Sequence, residues 1–410
     1  MSSATQTYDV AIVGAGPAGS ASAILLARAG WRVALIDRST FPRDKPCAEY
    51  LSPAAEPLLT KLGVMERLEA TRPARLRGFR IFAPNGGMIQ GDFAATRDAE
   101  GKSLFETGLA IPRLRLDATL VEAARVAGAE IHENWRLAQL AREGDVWRLT
   151  PVGEGRPIFA RLLLAADGVH STVARRLGLH ETSRMRKVAL VAHMRGIAGM
   201  GEYGEMHVAG RRYVGIAPLE PPEVGDLCNV AMVVDEARDG RKLAGRPERF
   251  LLEALETFPK LHGRLEQSTV TRRTLTISRI NVRAKRLSDE GLLLVGDATG
   301  YYDPFTGEGI YRALHGAQLA SEVALEALAK DDLSAATLAR YDQLYHETFK
   351  GKRLVEMIIQ SAVQAPPLMD HLARILGRRK AMADTIVAVT GDFLPPSAVL
   401  RPGYLLRLVL

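Results

Sequence analysis

Cysteine is scarce in this chain, which has only Cys47 and Cys228 among its 410 residues. So few cysteines argue against a disulfide framework and fit a reducing compartment. The nine histidines are scattered and show no metal-ligand spacing, so we expect no metal site. The sequence also lacks an apolar run of about 18 residues and a signal peptide at its N-terminus. These absences predict a cytoplasmic protein without a transmembrane helix.

The composition is that of a globular protein, with 47% hydrophobic and 25% charged residues. A chain of this length can bury large cores, and we expect two domains. The net charge of +7 could attract anionic partners. The basic residues are dispersed, however, and no nucleic-acid-binding motif accompanies them, so we expect no nucleic acid partner.

The chain begins with the pattern of a dinucleotide-binding βαβ unit. An apolar strand over residues 8–13 leads directly into a glycine-rich turn and then into a helix rich in alanine and leucine. The glycines have separate tasks: Gly14 makes the tight turn, Gly16 lets the backbone approach a pyrophosphate, and Gly19 allows close helix packing. We assign cofactor contacts to Gly14, Gly16, Ala18 and Gly19.

An acidic residue stands at the expected distance from this turn. The second strand, over residues 32–36, ends in Asp37, whose carboxylate can bind ribose hydroxyls. A negative charge there disfavours a 2′-phosphate, so the adenosine of FAD or NAD is favoured over that of NADP. Arg38 follows directly and is included among the expected cofactor contacts.

A second strand-turn-helix pattern lies near residue 300. The apolar run 291–295 ends in Gly296-Asp297, and Asp297 can accept hydrogen bonds from a ribityl-like polyol. A glycine-rich turn and a helix follow, and the free N–H groups of that helix could face an electron-rich carbonyl edge. An ordinary strand-turn-helix with an aspartate cap remains the alternative. The cofactor contacts expected here are Gly296, Asp297, Pro304, Gly307, Glu308, Gly309 and Ile310.

A third apolar strand ends in Asp167-Gly168, with Ser171 or Thr172 as helix caps behind it. Along the chain, the glycine-rich turn comes first, the Asp-Gly motif second and the Gly-Asp motif third. With the motifs in that order, residues 8–330 resemble the superfamily of geranylgeranyl reductase-like flavoenzymes and aromatic hydroxylases, the group A flavin monooxygenases. The resemblance implies that the first motif holds the ADP half of FAD. The Asp-Gly motif would then lie near FAD and be linked to NAD(P)H use, and the Gly-Asp motif would contact the ribityl chain and flavin.

The resemblance also implies an α/β fold, with a Rossmann-like FAD-binding domain of the glutathione reductase type interleaved with a β-sheet substrate domain. The sequence agrees with this interleaved layout, because the alternation of helices and strands gives way twice to a pattern of strands alone. The first such pattern is a hairpin that turns at residues 84–87. The implied divisions are 8–72, 108–182 and 277–330 for the FAD-binding domain, 73–107 and 183–276 for the substrate domain, and 331–410 for the C-terminal helices.

Three further residues are assigned through the same resemblance. Arg113, just ahead of a helix, matches the superfamily's flavin-contacting arginine, with a solvated helix-start charge as the alternative. Cys47 lies in a loop that passes the flavin in these enzymes. It could donate a proton or line the substrate cavity, or it could be a small buried apolar residue. Arg43 in this loop could reach a phosphate or be a solvated charge.

The branch of the superfamily decides the reaction. Residues 303–309 resemble the geranylgeranyl reductase branch, but its aromatic substrate motif is replaced by Tyr213-Val-Gly-Ile-Ala-Pro218. We therefore favour an NAD(P)H-linked monooxygenase that hydroxylates an apolar aromatic or polyketide-like molecule, in a pocket enlarged by Gly215 and Ala217. One alternative is a reductase of C=C bonds in an isoprenoid or quinone. Another is a non-catalytic binding protein on the same fold.

The tail from residue 350 onward mixes apolar and basic residues. This pattern is typical of a helical cap whose apolar face is core, and we expect that cap to lie over the flavin domain. An amphipathic helix on a membrane surface is the alternative. Peripheral membrane association therefore stays open, beside a hydrophobic small molecule as the substrate.

Overall fold

The computed structural model describes residues 7–93, 107–183, 186–301, 303–392 and 394–409. The strands are β1 Thr7–Val13, β2 Val33–Ile36, β3 Tyr50–Leu51, β4 Ala74–Leu76, β5 Gly78–Phe82, β6 Met88–Asp92, β7 Gly108–Ala110, β8 Glu130–His132, β9 Leu137–Glu143, β10 Val146–Pro151, β11 Ile158–Ala165, β12 His180–Thr182, β13 Lys187–Arg195, β14 Tyr203–Ala209, β15 Arg212–Pro218, β16 Cys228–Asp235, β17 Thr269–Ser278, β18 Val282–Ala284, β19 Ser288–Asp289, β20 Leu292–Leu294 and β21 Gly300–Tyr301.

The helices are α1 Pro17–Arg28, α2 Ala55–Lys61, α3 Met65–Glu69, α4 Arg113–Val126, α5 Thr172–Arg176, α6 Glu236–Leu243, α7 Pro247–Leu255, α8 Gly309–Ala329, α9 Ala335–Gln364, α10 Pro366–Leu376, α11 Lys380–Thr390, α12 Ser397–Leu400 and α13 Pro402–Val409. A 3₁₀ turn covers Gly296–Thr299. Within the described residues, no helix combines the length and apolar content that crossing a bilayer requires.

A mainly parallel sheet forms the centre of the first domain. Its strands lie in the order β19-β20-β11-β1-β2-β8, with the β9-β10 hairpin on β11, and the pairs from β20 to β8 are parallel. Strands β2 and β20 are buried along their whole length, as expected of apolar strands covered on both faces. Helix α1 packs against α4 and α8.

This strand order aligns the three sequence motifs. Gly14 follows β1, Asp37 follows β2, Asp167 follows β11 and Asp297 follows β20, and these four strands are parallel neighbours. The carboxyl ends of parallel neighbours meet at one edge of the sheet, where open α/β sheets bind their ligands. The motifs therefore share one edge although they are far apart in sequence.

The second sheet has the order β17-β13-β16-β15-β14-β5-β6, and all its pairs are antiparallel except β14 with β5. Its strands come from two chain segments, 78–92 and 187–278, which interrupt the segments of the first sheet. One face buries a core against α7 that includes Leu190, Met232 and Phe250. The predicted fold class, an FAD-binding α/β domain interleaved with a β-sheet domain and followed by helices, is confirmed.

The C-terminal helices correct one expectation. The tail was expected to cap the flavin domain, yet α10 and α11 pack against β6 of the second sheet. Their apolar side chains, such as Met369 and Ala383, share a core with Ile89 and Met206. Much of the apolar surface of α10 and α11 is thus core, but it covers the β-sheet domain, whereas α9 packs against α8. The domain boundaries stay predictions, and residues 94–106 and 184–185, which fall within the predicted substrate domain, lie outside the described residues.

Candidate active site

Close packing requires glycine at two positions of the first turn. Gly14 has a φ of +105°, and a Cβ there would lie 2.3 Å from the Ala166 carbonyl oxygen. A Cβ on Gly19 would lie 1.8 Å from the Gly14 carbonyl oxygen, so neither position admits a side chain. Ala18 is buried within α1. The turn therefore holds β1, β11 and α1 in close contact, as the sequence predicted.

Gly16 differs because it faces charged side chains rather than backbone. The atoms nearest to a Cβ placed there are guanidinium nitrogens, 3.7 Å away on Arg113 and 3.9 Å away on Arg43. Gly16 is also the N-cap of α1, where no side chain caps the helix and no acidic residue lies in the first turn. Free backbone N–H groups, the positive end of the helix dipole and two guanidinium groups thus meet at one point, which suits a pyrophosphate.

Asp117 organises these arginines, a role that the sequence did not reveal. Its carboxylate is fully buried and accepts two hydrogen bonds from Arg113, at 2.7 Å from Nε and 2.8 Å from Nη2. Arg43 Nη1 donates a third bond of 2.7 Å to Asp117 Oδ2. The only available signal was the i,i+4 spacing of Arg113 and Asp117 on α4. Both arginines are therefore held in fixed orientations beside Gly16.

Lys45 adds a third positive charge to this group. Burial lowers the pKa of its ammonium, and repulsion from Arg113 and then Arg43 lowers that pKa further, while Asp297 opposes the change. A bound anion would relieve the repulsion among the three cations. The glycine turn and the positive charges together fit the diphosphate of FAD.

Asp37 faces the same turn from the end of β2. Its Oδ2 accepts a 2.9 Å hydrogen bond from the Ala15 backbone N–H, and its Oδ1 accepts one of 2.9 Å from Ser39. These bonds fix the carboxylate beside the glycine loop, where it can accept bonds from ribose hydroxyls. Arg38 is exposed next to it. The structure therefore brings Asp37 to the turn and leaves Arg38 on the surface.

Asp297 lies in the 3₁₀ turn that follows β20. Burial raises the pKa of its carboxyl, whereas Lys45, Arg113 and Arg312 each act to lower it. A Cβ on Gly296 would lie 2.8 Å from the Ala18 Cβ, which shows how closely this turn approaches α1. Asp297 and Lys45 therefore belong to the charged region that begins at Gly16, as a ribityl-binding position requires.

Asp167 has a clear structural role. Its Oδ2 accepts hydrogen bonds of 2.6 Å from Thr172 N and 3.3 Å from Val173 N, and burial raises the pKa of the carboxyl. Ser171 also caps α5, accepting a 2.9 Å bond from Ala174 N. Gly168, in contrast, lies next to the charged region, because a Cβ on Gly168 would be 3.4 Å from Lys45 Nζ. A cofactor contact of Asp167 and Gly168 stays a prediction.

Helix α8 begins at Gly309, inside the predicted turn. Glu308 is its N-cap residue and forms no side-chain capping bond, so the first N–H groups of the helix are left for other acceptors. Burial and repulsion from Asp392 raise the pKa of Glu308 to about 8, although Lys352, 3.4 Å away, opposes the shift. Pro304 and Gly307 line the apolar cavity described below, and Ile310 is buried in the core.

Hydrogen bonds hold Cys47 at both its side chain and its backbone. Its Sγ accepts a 3.3 Å hydrogen bond from Glu49 N, and its carbonyl oxygen accepts a 2.8 Å bond from Asn229 Nδ2 on β16. Burial raises the pKa of the thiol, while the Arg113 guanidinium acts in the opposite direction. A thiol with a raised pKa keeps its proton at neutral pH, so Cys47 could serve as an acid.

Glu49 is a second residue that sequence reasoning missed. It is fully buried with a positive φ of 57°, and its Oε1 accepts a 2.9 Å bond from Arg113 N. His193 Nε2 lies 2.6 Å from its Oε2, and Arg272 Nη1 lies 3.4 Å from its Oε1. Both partners come from the second sheet, more than 100 positions later in the chain. No local pattern could therefore have revealed this connection between the two domains.

An apolar cavity of about 500 Å³ opens beside this loop. Ala48, Thr306 and Gly307 line the end near the glycine-rich turn, and Phe79, Met206 and Gly215 of the second sheet form a wall. The remaining lining comes largely from the C-terminal helices, including Leu368, Leu372, Leu405 and Leu408. Gly215 lines the cavity as expected, whereas Ala217 lies in a separate buried cluster, so only one of the two small residues contributes to the wall. The β sheet thus walls a pocket that extends to the Pro304–Gly307 turn.

The sequence is similar to those of known proteins. A family model described as "FAD binding domain" matches residues 7–348. A digeranylgeranylglycerophospholipid reductase of Methanosarcina mazei is 31% identical over 350 residues, covering 83% of this chain and 81% of that protein. Conditioned medium factor receptor 1 of Dictyostelium discoideum is 29% identical over 419 residues, or 96% of this chain and 79% of that protein.

The fold also recurs in a solved structure. A geranylgeranyl bacteriochlorophyll reductase-like protein from Thermoplasma acidophilum superposes with a TM-score of 0.79 at 22% identity, covering 97% of this chain and 96% of that one. At this identity the match shows the fold alone. The family model spans most of the chain, so the protein belongs to the FAD binding domain family. It is an FAD-dependent oxidoreductase of the geranylgeranyl reductase-like and aromatic hydroxylase superfamily, which confirms the predicted family, enzyme class and FAD cofactor.

Proposed function

We propose that this flavoenzyme saturates carbon–carbon double bonds in a long-chain isoprenoid, the alternative that ranked second from the sequence. The observation that carries the proposal is the apolar cavity of about 500 Å³ lined by Ala48, next to Cys47 in the chain, and by the Pro304–Gly307 turn. Ligand pockets commonly have about 300–1,000 Å³, so one hydrocarbon chain can be accommodated. An isoprenoid needs such a cavity because it offers few hydrogen-bonding groups along its length.

The cavity lining fits this substrate better than an aromatic or polyketide-like molecule. A polyketide-like substrate carries several oxygens, and a binding site places polar groups to meet them. Here the buried Glu205 is already bound to Arg264, at 2.8 Å, and to His207, at 2.9 Å. Most other lining side chains are aliphatic or aromatic. The similarity to a digeranylgeranylglycerophospholipid reductase supports the same choice.

Different residues of this chain would bind FAD and donate the proton. Gly16, Asp37 and Asp297 would hold the pyrophosphate, ribose and ribityl groups of FAD, and the reduced cofactor supplies a hydride. Saturation of a C=C bond also needs one proton at the second carbon. Cys47, the neighbour of the cavity-lining Ala48, would hold that proton on Sγ. Arg113 would then stabilise the thiolate that remains, since its charge lowers the thiol pKa.

We keep NAD(P)H as the proposed electron donor, because the Asp167-Gly168 motif is the one that the superfamily links to nicotinamide use. The proposed donor can be tested separately from the reaction. Reduction of bound FAD by NADH, NADPH or dithionite, followed by absorbance without substrate, measures the first half alone. Reduction by dithionite but by neither nicotinamide would replace NAD(P)H with another donor and leave the proposed reaction standing.

The reaction is tested by comparing turnover of a geranylgeranylated lipid with and without oxygen. A reductase forms the saturated product in both conditions, with no oxygen consumed in its formation. A monooxygenase, the reaction favoured from the sequence, needs O₂ and gives a hydroxylated product. Product that appears only with O₂ and carries a new oxygen atom would overturn the reductase in favour of the monooxygenase. Failure to turn over the lipid under either condition would overturn the proposed substrate class.

A further inference from the structure

Strongly exposed apolar side chains are concentrated at the end of this chain. Half of the large apolar residues that are strongly exposed in the described structure lie between residues 354 and 406. We name this group the apolar collar, and its members are Leu354, Met357, Ile358, Leu368, Leu405 and Leu406. Their exposure ranges from 39% for Leu405 to 60% for Leu406. Exposed apolar side chains grouped in this way mark an interaction surface.

Three members of the apolar collar lie at the mouth of the cavity. Ile358, Leu368 and Leu405 are exposed and also line the cavity, so they mark where it reaches the surface. They come from α9, α10 and α13, which the packing brings together: His371 Nε2 lies 3.2 Å from the Leu408 carbonyl oxygen. A substrate that enters here would pass directly from an apolar surface into an apolar cavity.

The charges near the apolar collar are mainly positive. Residues 350–410 contain nine lysines and arginines against four aspartates and glutamates. Three of the four acids already have basic partners: Glu356 accepts a 2.9 Å bond from Arg312, Asp392 lies 2.5 Å from Lys352, and Asp384 is paired with Lys380. Arg353, Arg374, Arg378, Arg401 and Arg407 are exposed. Apolar residues combined with exposed arginines match the acyl region and headgroups of an anionic bilayer.

We infer that the apolar collar docks this protein onto an anionic lipid bilayer, with the cavity mouth facing the acyl region. Docking itself rests on the exposed apolar and basic residues, whereas delivery of a lipid into the cavity rests on the proposed function. A second copy of the chain is the competing occupant. The positive charge favours the bilayer, because two identical basic surfaces would repel each other.

The test is flotation of the FAD-loaded full chain with phosphatidylglycerol–phosphatidylcholine vesicles and with pure phosphatidylcholine vesicles. The variant Leu354→Glu/Leu406→Glu places two charges in the apolar collar at positions that do not line the cavity. Val126→Glu/Val152→Glu is the matched control, since both valines are exposed elsewhere, at 69% and 59%. We expect the wild type and the control to bind anionic vesicles, and the collar variant to bind about tenfold more weakly or worse.

The basic residues are tested with Arg401→Gln/Arg407→Gln, which should weaken binding to anionic vesicles at low salt and reduce the salt dependence. Equal flotation of the collar variant and the wild type, or none by the wild type, would overturn the inference. A wild-type dimer that the collar variant converts to monomer would assign the surface to a second copy. Vesicle binding needs no turnover, so a failed reductase assay leaves this result intact. Turnover of a detergent-dispersed substrate by the collar variant would show that the reaction does not depend on docking.

Discussion

Asn229 on β16 donates a 2.8 Å hydrogen bond to the carbonyl oxygen of Cys47, so the second sheet holds the loop that carries the thiol. The Glu49–His193 contact of 2.6 Å makes a second connection between the same parts of the protein. Both contacts fix the backbone on either side of Ala48, which lines the cavity. The position of Cys47 relative to a substrate is thus set by two domains together.

The role of Cys47 can be separated from cofactor reduction. Cys47→Ser should leave reduction of FAD unchanged and slow saturation of the substrate by about 10²-fold or more, because general acid catalysis by a positioned group is lost. Rapid-reaction absorbance measures the two steps separately. Cys228→Ser serves as the control, since Cys228 is buried in the core on the far face of the second sheet. A Cys47→Ser enzyme that saturates substrate at the wild-type rate would remove the thiol from the mechanism.

The pH dependence of this step follows from the direction of the thiol pKa. Burial raises the pKa of Cys47, so the acid form persists as the pH increases. An acid donates its proton only below its pKa. The rate of saturation should therefore stay level through neutral pH and fall only above the ordinary thiol pKa of ~8.5. Alkylation of Cys47 by iodoacetamide should accelerate over the same high range, whereas acceleration below neutrality would contradict the raised pKa.

Asp37 should contribute to FAD affinity through the ribose hydroxyls. Asp37→Ala removes a charged acceptor, a loss of about 1.5–3 kcal/mol for hydrogen bonds to a charged group. The dissociation constant of FAD, from titration of the apoprotein by flavin fluorescence, should rise accordingly. Glu154→Ala is a suitable control because Glu154 is an exposed acid in a loop of the same domain. Equal FAD affinity in both variants would show that Asp37 does not bind the ribose.

Asp297 should hold the ribityl chain and so set the position of the flavin ring. Asp297→Ala should reduce FAD occupancy or turnover with little change in fold, because it removes one polar group at the end of a strand. Asp297→Asn keeps an acceptor and should retain more FAD than the alanine variant. Flavin absorbance gives the occupancy, and far-ultraviolet circular dichroism reports the fold. A fully active alanine variant with full flavin content would refute the assignment.

A buried network joins the second sheet, the turn before α8 and the C-terminal helices. Lys187 is paired with Asp303, which also accepts bonds from Tyr213, at 2.6 Å, and from Gln360, at 2.5 Å. Lys187→Met leaves the buried carboxylate without its cation, which should cost about 3–5 kcal/mol of unfolding free energy. Urea denaturation measures the loss, with the exposed Lys242→Met as the control. A difference between the two variants below ~1 kcal/mol would contradict a stabilising role for the pair.

Local sequence patterns predicted the elements whose signals lie within a few residues. The strand and glycine turn at Gly14–Gly19, the acid at Asp37 and the helix beginning at Gly309 are of this kind, because turn geometry and apolar runs are local properties. The parallel order of the strands then brings the motifs to one edge.

Contacts between distant segments could not be predicted in the same way. The partners of Glu49 lie on β13 and β17, and their register depends on the pairing of the whole second sheet. The apolar pattern of α10 and α11 indicated a buried face but not which sheet would cover it. That choice depends on the chain path across both domains, so the expected cap over the flavin domain was wrong for α10 and α11, whereas α9 does pack against α8.

The most direct test of the proposed reaction is a single turnover without oxygen. The enzyme is reduced with one equivalent of dithionite and mixed anaerobically with a geranylgeranylated lipid, and flavin reoxidation is followed beside product mass. We predict that the flavin reoxidises at the rate at which product forms, and that the product is heavier by two hydrogen atoms. Flavin that stays reduced until O₂ is admitted, followed by a product with one added oxygen atom, would contradict the account.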